Sequence, residues 1–255
     1  MADYLVFRLY GPLASWGEIA VGESRHSAVY PSKSALLGIL GAAVGVRRDD
    51  DAGQQALFRG YRFGIKLISA GTPMRDYHTV QSPAQQRNVS YRSRRQELAD
   101  SSRIGTLLST REYRCDSISV VAAEALPEAR WSLPELAEAL RHPHFPLYLG
   151  RKSCPPALPL MPQLVQAENV QSAIKLSAQT SLLALLSQNP EQAWPNQADT
   201  RVLRSSTARF YWEEGMASGM AEDMQIVRHD QPLSRRRWQF APRREWVCLN
   251  AENGQ

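Results

Sequence analysis

The sequence predicts an α+β protein. It has a ferredoxin-like (RNA-recognition-like) body, a long β-hairpin arm inserted between strands, and a less regular C-terminal part. Three observations carry this. Apolar runs at strand and helix spacing follow one another as strand–helix–strand, then strand–helix–strand again. Between the two halves lies a stretch from Arg75 to Arg114 with few apolar residues at either spacing. The composition, 43% hydrophobic and 22% charged over 255 residues, is that of a globular chain long enough to bury a proper core.

Tyr4 to Leu9 (YLVFRL) reads as the first strand, ended by Gly11-Pro12. The segment GPLASWGEIAVGESRHSAVYPSKS is too rich in Gly, Ser and turn residues for a regular element. SKSALLGILGAAVGV then places Leu36, Leu37, Leu40, Ala43 and Val44 on one helical face, with Ser32 or Ser34 as N-cap and Gly45 at the stop. Gly38 and Gly41 each cost about 1 kcal/mol against Ala inside a helix, a cost that close packing on a sheet would explain. Tyr61 to Ser69 and Asp116 to Ala123 read as the second and third strands and flank the polar stretch directly. Ser132 and Glu135 make a capping box that opens a short helix with Leu136 and Leu140 inside. After Pro156 come a Pro-rich linker, a helix near Ser177 to Leu186, a polar segment and a final strand near 245–249. The expected division is a body at 1–155, including the arm at 71–115, and an extension at 156–255 with an enlarged segment at 170–235.

The arm concentrates the charge. It holds eight arginines, no lysine and four acids, a formal +4 within a chain of +5. Arginine grips phosphate bidentately and stacks on bases, and Tyr77, Tyr91 and Tyr113 are interleaved with it, as a nucleic-acid-facing surface requires. Arg75, Arg87, Arg92, Arg94, Arg95 and Arg103 form the candidate basic face of the arm. A pI near 9.3 agrees with a polyanion partner. Arg235-Arg236-Arg237-Trp238 and Pro242-Arg243-Arg244-Glu245-Trp246 form a second basic-aromatic patch. MADYLVFRLYG has no leader pattern and no apolar run reaches membrane-spanning length, so a cytoplasmic protein without membrane contact is expected. Cys115, Cys154 and Cys248 are widely spaced, which supports neither a disulfide framework nor a zinc site.

Enzymatic motifs are absent: no Walker loop, no GxGxxG after a strand, no HExxH. Asp49-Asp50-Asp51 cannot all face one ion and reads as a solvated turn, so no metal and no cofactor are expected. His78, beside Tyr77 and Arg75, is the one histidine with apparent helpers for metal-independent ribonuclease chemistry. Neighbours in a strand face opposite ways, however, so Tyr77 and His78 should not share a site.

YLVFRLYGPLASWG, YPSKSALLGILGAAVGVRRDD, RDYHTV, REYRCDS and YLGRKSCP, in this order, closely resemble the Cas-five (CasD) family of type I-E CRISPR Cascade subunits, over roughly residues 4 to 160. REWVCL resembles the family's last strand, and 170–235 matches poorly. The resemblance implies a ferredoxin-like body whose arm is a thumb reaching over a guide RNA. It implies a non-catalytic subunit that binds the repeat-derived 5′ handle of that guide and caps the backbone filament. The implied partners are the repeating backbone subunit, the large PAM-recognising subunit and, through the assembled complex, target DNA. A sister subtype has a family member that is itself the endoribonuclease, which keeps a catalytic alternative at His78 and Tyr77 open. Carried over by motif, the RNA-binding residues would be Trp16, Arg25, Lys33, Ser34, Arg111, Tyr148, Gly150, Arg151, Lys152 and Ser153. Cations and backbone N–H groups would hold phosphates, while Tyr148 and Trp16 would offer flat faces to splayed bases.

Overall fold

The computed structural model describes residues 1–20, 22–84, 89–177, 179, 208–234 and 237–249. The chain begins with β1 (Ala2–Ala14) and three two-residue strands, β2 (Trp16–Gly17), β3 (Ser24–Arg25) and β4 (Ser27–Ala28). Next come α1 (Lys33–Val44), α2 (Asp51–Gly60), β5 (Tyr61–Ser69) and β6 (Thr72–Pro83). The arm tip carries α3 (Arg94–Glu97) and a 3-10 turn at Ser101–Arg103 before the long β7 (Ile104–Ala125). The chain continues through α4 (Leu133–Arg141), β8 (Gln163–Ala167), α5 (Val170–Leu176), β9 (Arg209–Glu213), β10 (Met224–Ser234) and β11 (Gln239–Cys248).

One sheet runs β10-β11-β9-β5-β7-β1-β8, and β3 and β6 also pair with β7. Strand alternation divides the core between its faces. Leu5, Phe7 and Leu9 of β1 join Phe63, Ile65, Val121 and Ala123 in a cluster with residues of α1, α2 and α4. Tyr4 and Val6 join Val120 and Ala122 on the other face, with Val170, Ala173 and Ile174 of α5 and Phe210 and Trp212 of β9. A side chain at Gly64 would not fit, since its Cβ would lie 2.5 Å from Val170 Cγ1.

The helix caps agree with the local sequence. Ser32 accepts from the Ala35 N–H at the start of α1, and Gly45 ends it with φ 80°. Ser132 and Glu135 form the reciprocal capping box of α4. Other expectations need correction. Gly41 faces Leu57 of α2, not a sheet, and Gly38 is exposed. The three aspartates are exposed at a turn, as expected, and Asp50 in addition caps α2, its Oδ1 accepting from the Gly53 N–H at 2.9 Å. The described C-terminal residues are more regular than expected, because β9, β10 and β11 extend the sheet past β5. Pro232 is tolerated there on the outermost strand, beside a break in register. The helix expected at 177–186 falls, apart from Ser177 and Gln179, outside the described residues.

A buried charge network ties these last strands to the start of α1. Asp230 Oδ2 accepts from the Lys33 backbone N–H at 2.8 Å, at the helix terminus where an anion is stabilised. Lys33 Nζ lies 2.6 Å from Glu213 Oε2, with both side chains under 10% exposed. Arg243 binds Asp230 through two nitrogens, at 2.6 and 3.0 Å, and Glu245 at 3.3 Å. Tyr30 donates to Glu245 at 2.9 Å, stacks on Tyr211 and lies under the Arg228 guanidinium. The second basic-aromatic patch is therefore corrected at Arg243, which is part of the interior; Arg235 and Arg236 lie outside the described residues.

The network gives stability a defined acid limb. Burial raises the Asp230 pKa, but Arg243, Arg228 and the Lys33 N–H outweigh it and hold the carboxyl below its usual range. A depressed carboxylate stabilises the fold above its unfolded pKa, about 4, and that contribution is lost as pH falls through the folded value. Glu245 works the other way, because burial pushes its carboxyl up over the pull of Arg243 and Arg228. Asp230→Asn should therefore lower the urea midpoint at pH 7 and lessen its fall below about pH 4. An acid limb identical to that of the wild type would contradict the assignment.

Candidate nucleic-acid interface

Three of the sequence-predicted residues, Arg25, Arg111 and Arg151, converge at the base of the arm. β6 and the first half of β7 pair from Thr72 opposite Cys115 to Pro83 opposite Ile104, which makes the arm a two-stranded ladder. The second half of β7 enters the body between β1 and β5. β3 lies parallel on β7, with Ser24 opposite Thr110 and Arg25 opposite Arg111. Opposed residues share a face and neighbours alternate. Arg25, Arg111 and Tyr113 therefore share one face.

Arg151 extends this row. Its guanidinium lies over the Tyr113 ring at 4.9 Å. A tight turn sets it there: Leu149 N–H donates to the Cys154 carbonyl at 2.7 Å, Cys154 N–H to that of Arg151 at 2.9 Å, and Ser15 N–H to that of Leu149 at 3.0 Å. Gly150 has φ 87°, and a Cβ there would lie 1.9 Å from the Ser15 carbonyl oxygen. The close backbone approach that a glycine permits is thus made here to the protein's own chain and not to a ligand. Tyr148, Lys152 and Ser153 are exposed around the turn.

Two expected site residues are elsewhere. Trp16 is 1% exposed within the core cluster that holds Tyr113, so it has no face to offer a base. It was carried over by motif, and a motif says nothing of the core that tertiary structure closes over its indole. Lys33 is 5% exposed and ion-paired with Glu213, which removes it from any RNA surface. Ser34 is half-buried beside the α1 cap, 3.0 Å from Ser32 Oγ.

The opposite face of the arm base is organised by Glu112, a residue not singled out in the sequence. Its Oε1 lies 3.1 Å from Arg75 Nη2 and 3.3 Å from His26 Nδ1, and its Oε2 accepts from the Ser27 N–H at 3.4 Å. Desolvation raises its pKa, but hydrogen bonds from Arg75, Ser27 and His26 outweigh that and hold it below the usual carboxylate range. His26 also meets Ser24 Oγ at 3.0 Å, although no constellation was visible around it in the sequence. Its partner is 86 positions away, a pairing no local pattern announces.

The proposed ribonuclease cluster does not assemble. Tyr77 stands opposite Thr110 on the face of Arg75, whereas His78 stands opposite Ser109 on the other face. Farther out, Arg94 pairs with Glu97 at 2.7 Å and donates to the Gln81 carbonyl, and Arg103 lies 4.0 Å from Asp100. Arg92 and Arg95 are exposed, and Arg87 lies outside the described residues. The basic face of the arm is thus partly offset by its own acids.

A family model described as "CRISPR-associated protein (Cas_Cas5)" matches residues 4–245. The chain is 34% identical over 182 residues to the CRISPR system Cascade subunit CasD of Escherichia coli (strain K12), covering 68% of this chain and 76% of that protein. Among solved structures it is similar to a chain of a CRISPR RNA-guided surveillance complex, at 20% identity and a TM-score of 0.59, over 99% of this chain and 95% of that one. A crystal structure of a Cas protein matches at 23% identity and a TM-score of 0.55, over 96% and 94%.

Proposed function

The chain belongs to the Cas5 family of CRISPR-associated proteins, and from that premise we propose that it is a non-catalytic RNA-binding subunit of a Cascade-type surveillance complex. In this reading it holds the 5′ handle of the guide RNA at the base of the arm, and the arm is a thumb laid over the guide. It caps the backbone filament and meets the repeating backbone subunit and the large PAM-recognising subunit. The strand order β5-β7-β1-β8, with α1 and α4 over one face, supports a ferredoxin-like body.

One observation carries the reading: β3, β7 and the 148–154 turn, distant in sequence, place Arg25, Arg111 and Arg151 along one face. Such a row matches successive phosphates of a single strand, and exposed Tyr148 beside it offers a ring for stacking. The separation of Tyr77 from His78 favours the scaffold role over the endoribonuclease alternative.

The test is binding of repeat-derived handle RNA across a salt series. Arg111→Ala should weaken binding and reduce the slope of log K against log salt by about 0.7–1, and the RNA should stay uncut without metal. Unchanged affinity and slope would overturn the assignment of Arg111, and cleavage lost in His78→Ala would restore the nuclease.

A further inference from the structure

We propose that Glu112 is a positioning residue: from the face opposite the cationic row it fastens segment 24–27 so that Arg25 stands beside Arg111. The proposal rests on the reading that this row takes RNA phosphate.

β3 is only two residues long, and a strand that short cannot set its own register. Beyond that pairing, Thr110 N–H donates to the Glu23 carbonyl at 3.0 Å. At the far end of the segment Ser27 pairs with Gly17 of β2 and its Oγ accepts from the Trp16 N–H at 3.0 Å, and between these points the side chain of Glu112 adds a further hold. It takes the Ser27 N–H and the His26 ring together, directly after Arg25 in the chain. Its own backbone is fixed by Ser15 Oγ, which donates to the Glu112 carbonyl at 2.9 Å. With Ser24 and His26 drawn to the Glu112 face, alternation directs Arg25 to the other. Ser24, His26 and Glu112 have the connectivity of a hydrolytic triad. The carboxylate, however, is shared with Arg75 and a backbone N–H, and Ser24 and His26 lie on the open surface.

Simple electrostatics predicts the opposite sign. Glu112→Gln removes an anion beside an RNA surface and releases Arg75, so bulk charge alone would tighten binding. Positioning predicts weaker binding.

Two readouts on the full-length protein separate these outcomes. Without RNA, Glu112→Gln should speed tryptic cleavage after Arg25 by about tenfold, as the segment opens more often. With repeat-derived handle RNA, it should weaken binding about five- to tenfold in the wild-type background and leave binding unchanged in the Arg25→Ala background. His26→Ala, which removes one surface donor, should move both readouts the same way by a smaller factor. Tighter binding by Glu112→Gln, an equal loss in the Arg25→Ala background, or unchanged cleavage after Arg25 would each overturn the proposal. If the wild-type protein fails to bind the RNA, the RNA reading falls, and the trypsin result still decides whether Glu112 fastens the segment.

Discussion

Arg243→Ala should destabilise the protein by about 3–5 kcal/mol, read as a lower urea midpoint by tryptophan fluorescence. The guanidinium is 9% exposed and binds Asp230 through two nitrogens and Glu245 through one. Its removal leaves two buried carboxylates, Asp230 at 9% and Glu245 at 1% side-chain exposure, facing Arg228 at 3.7 and 3.9 Å. One cation at that distance cannot compensate two desolvated anions. Lysine would not rescue the site, because the bidentate grip on Asp230 requires the planar fork. Arg244→Ala is the matched control. Its side chain is 61% exposed and its partner Glu214 58%, so its loss should stay within about 0.5 kcal/mol. Equal midpoints for the two variants would show that the network contributes nothing to folding.

Gly150→Ala should cost about 2–4 kcal/mol and displace Arg151 from Tyr113. The left-handed backbone alone accounts for about 1–2 kcal/mol of that. The remainder comes from a methyl group placed 1.9 Å from a backbone carbonyl oxygen, which side-chain rotation cannot relieve. The Ser15–Leu149 hydrogen bond next to it would have to open. The expected signature is joint: a lower unfolding midpoint, and handle-RNA affinity as low as that of Arg151→Ala. Lys152→Ala, an exposed change in the same turn, should leave the midpoint unchanged. A Gly150→Ala protein of wild-type stability would mean that the turn is not held against Ser15.

Local features of this molecule were legible in the sequence and distant ones were not. The caps at Ser32, Gly45 and Ser132 are decided within a few residues, and so were readable. α2 was missed because DAGQQALFRG buries little more than Leu57 and Phe58 among its side chains, too weak a period to recognise. The end of β11 was readable as the final strand near 245–249, but β10 and the start of β11 were hidden by Pro232, Pro242 and the arginine run, all compatible with a hairpin only once β9 and β5 are in place. Lys33 and Arg243 looked like surface cations because their acids are supplied by tertiary structure. Trp16 looked like a stacking platform for the same reason, since the core that covers it is assembled from distant strands and helices. For the candidate interface, motifs pointed to Arg25, Arg111 and Arg151, but their common face follows from the β3–β7 register and the Tyr113 contact.

The network that joins α1 to the last strands also orders events during synthesis. Lys33 meets Glu213 and Asp230 across 180 and 197 residues, and Tyr30 meets Glu245 across 215. A nascent chain therefore carries the start of α1 through the synthesis of 180 to 215 further residues before its partners exist. Until β9 emerges, the outer edge of β5 is an open strand edge beside an unneutralised Lys33, a surface prone to mispairing. Completion of this body waits on β9, β10 and β11, and production of the protein should respond to chaperone supply and to loss of these strands more sharply than to changes at the arm tip.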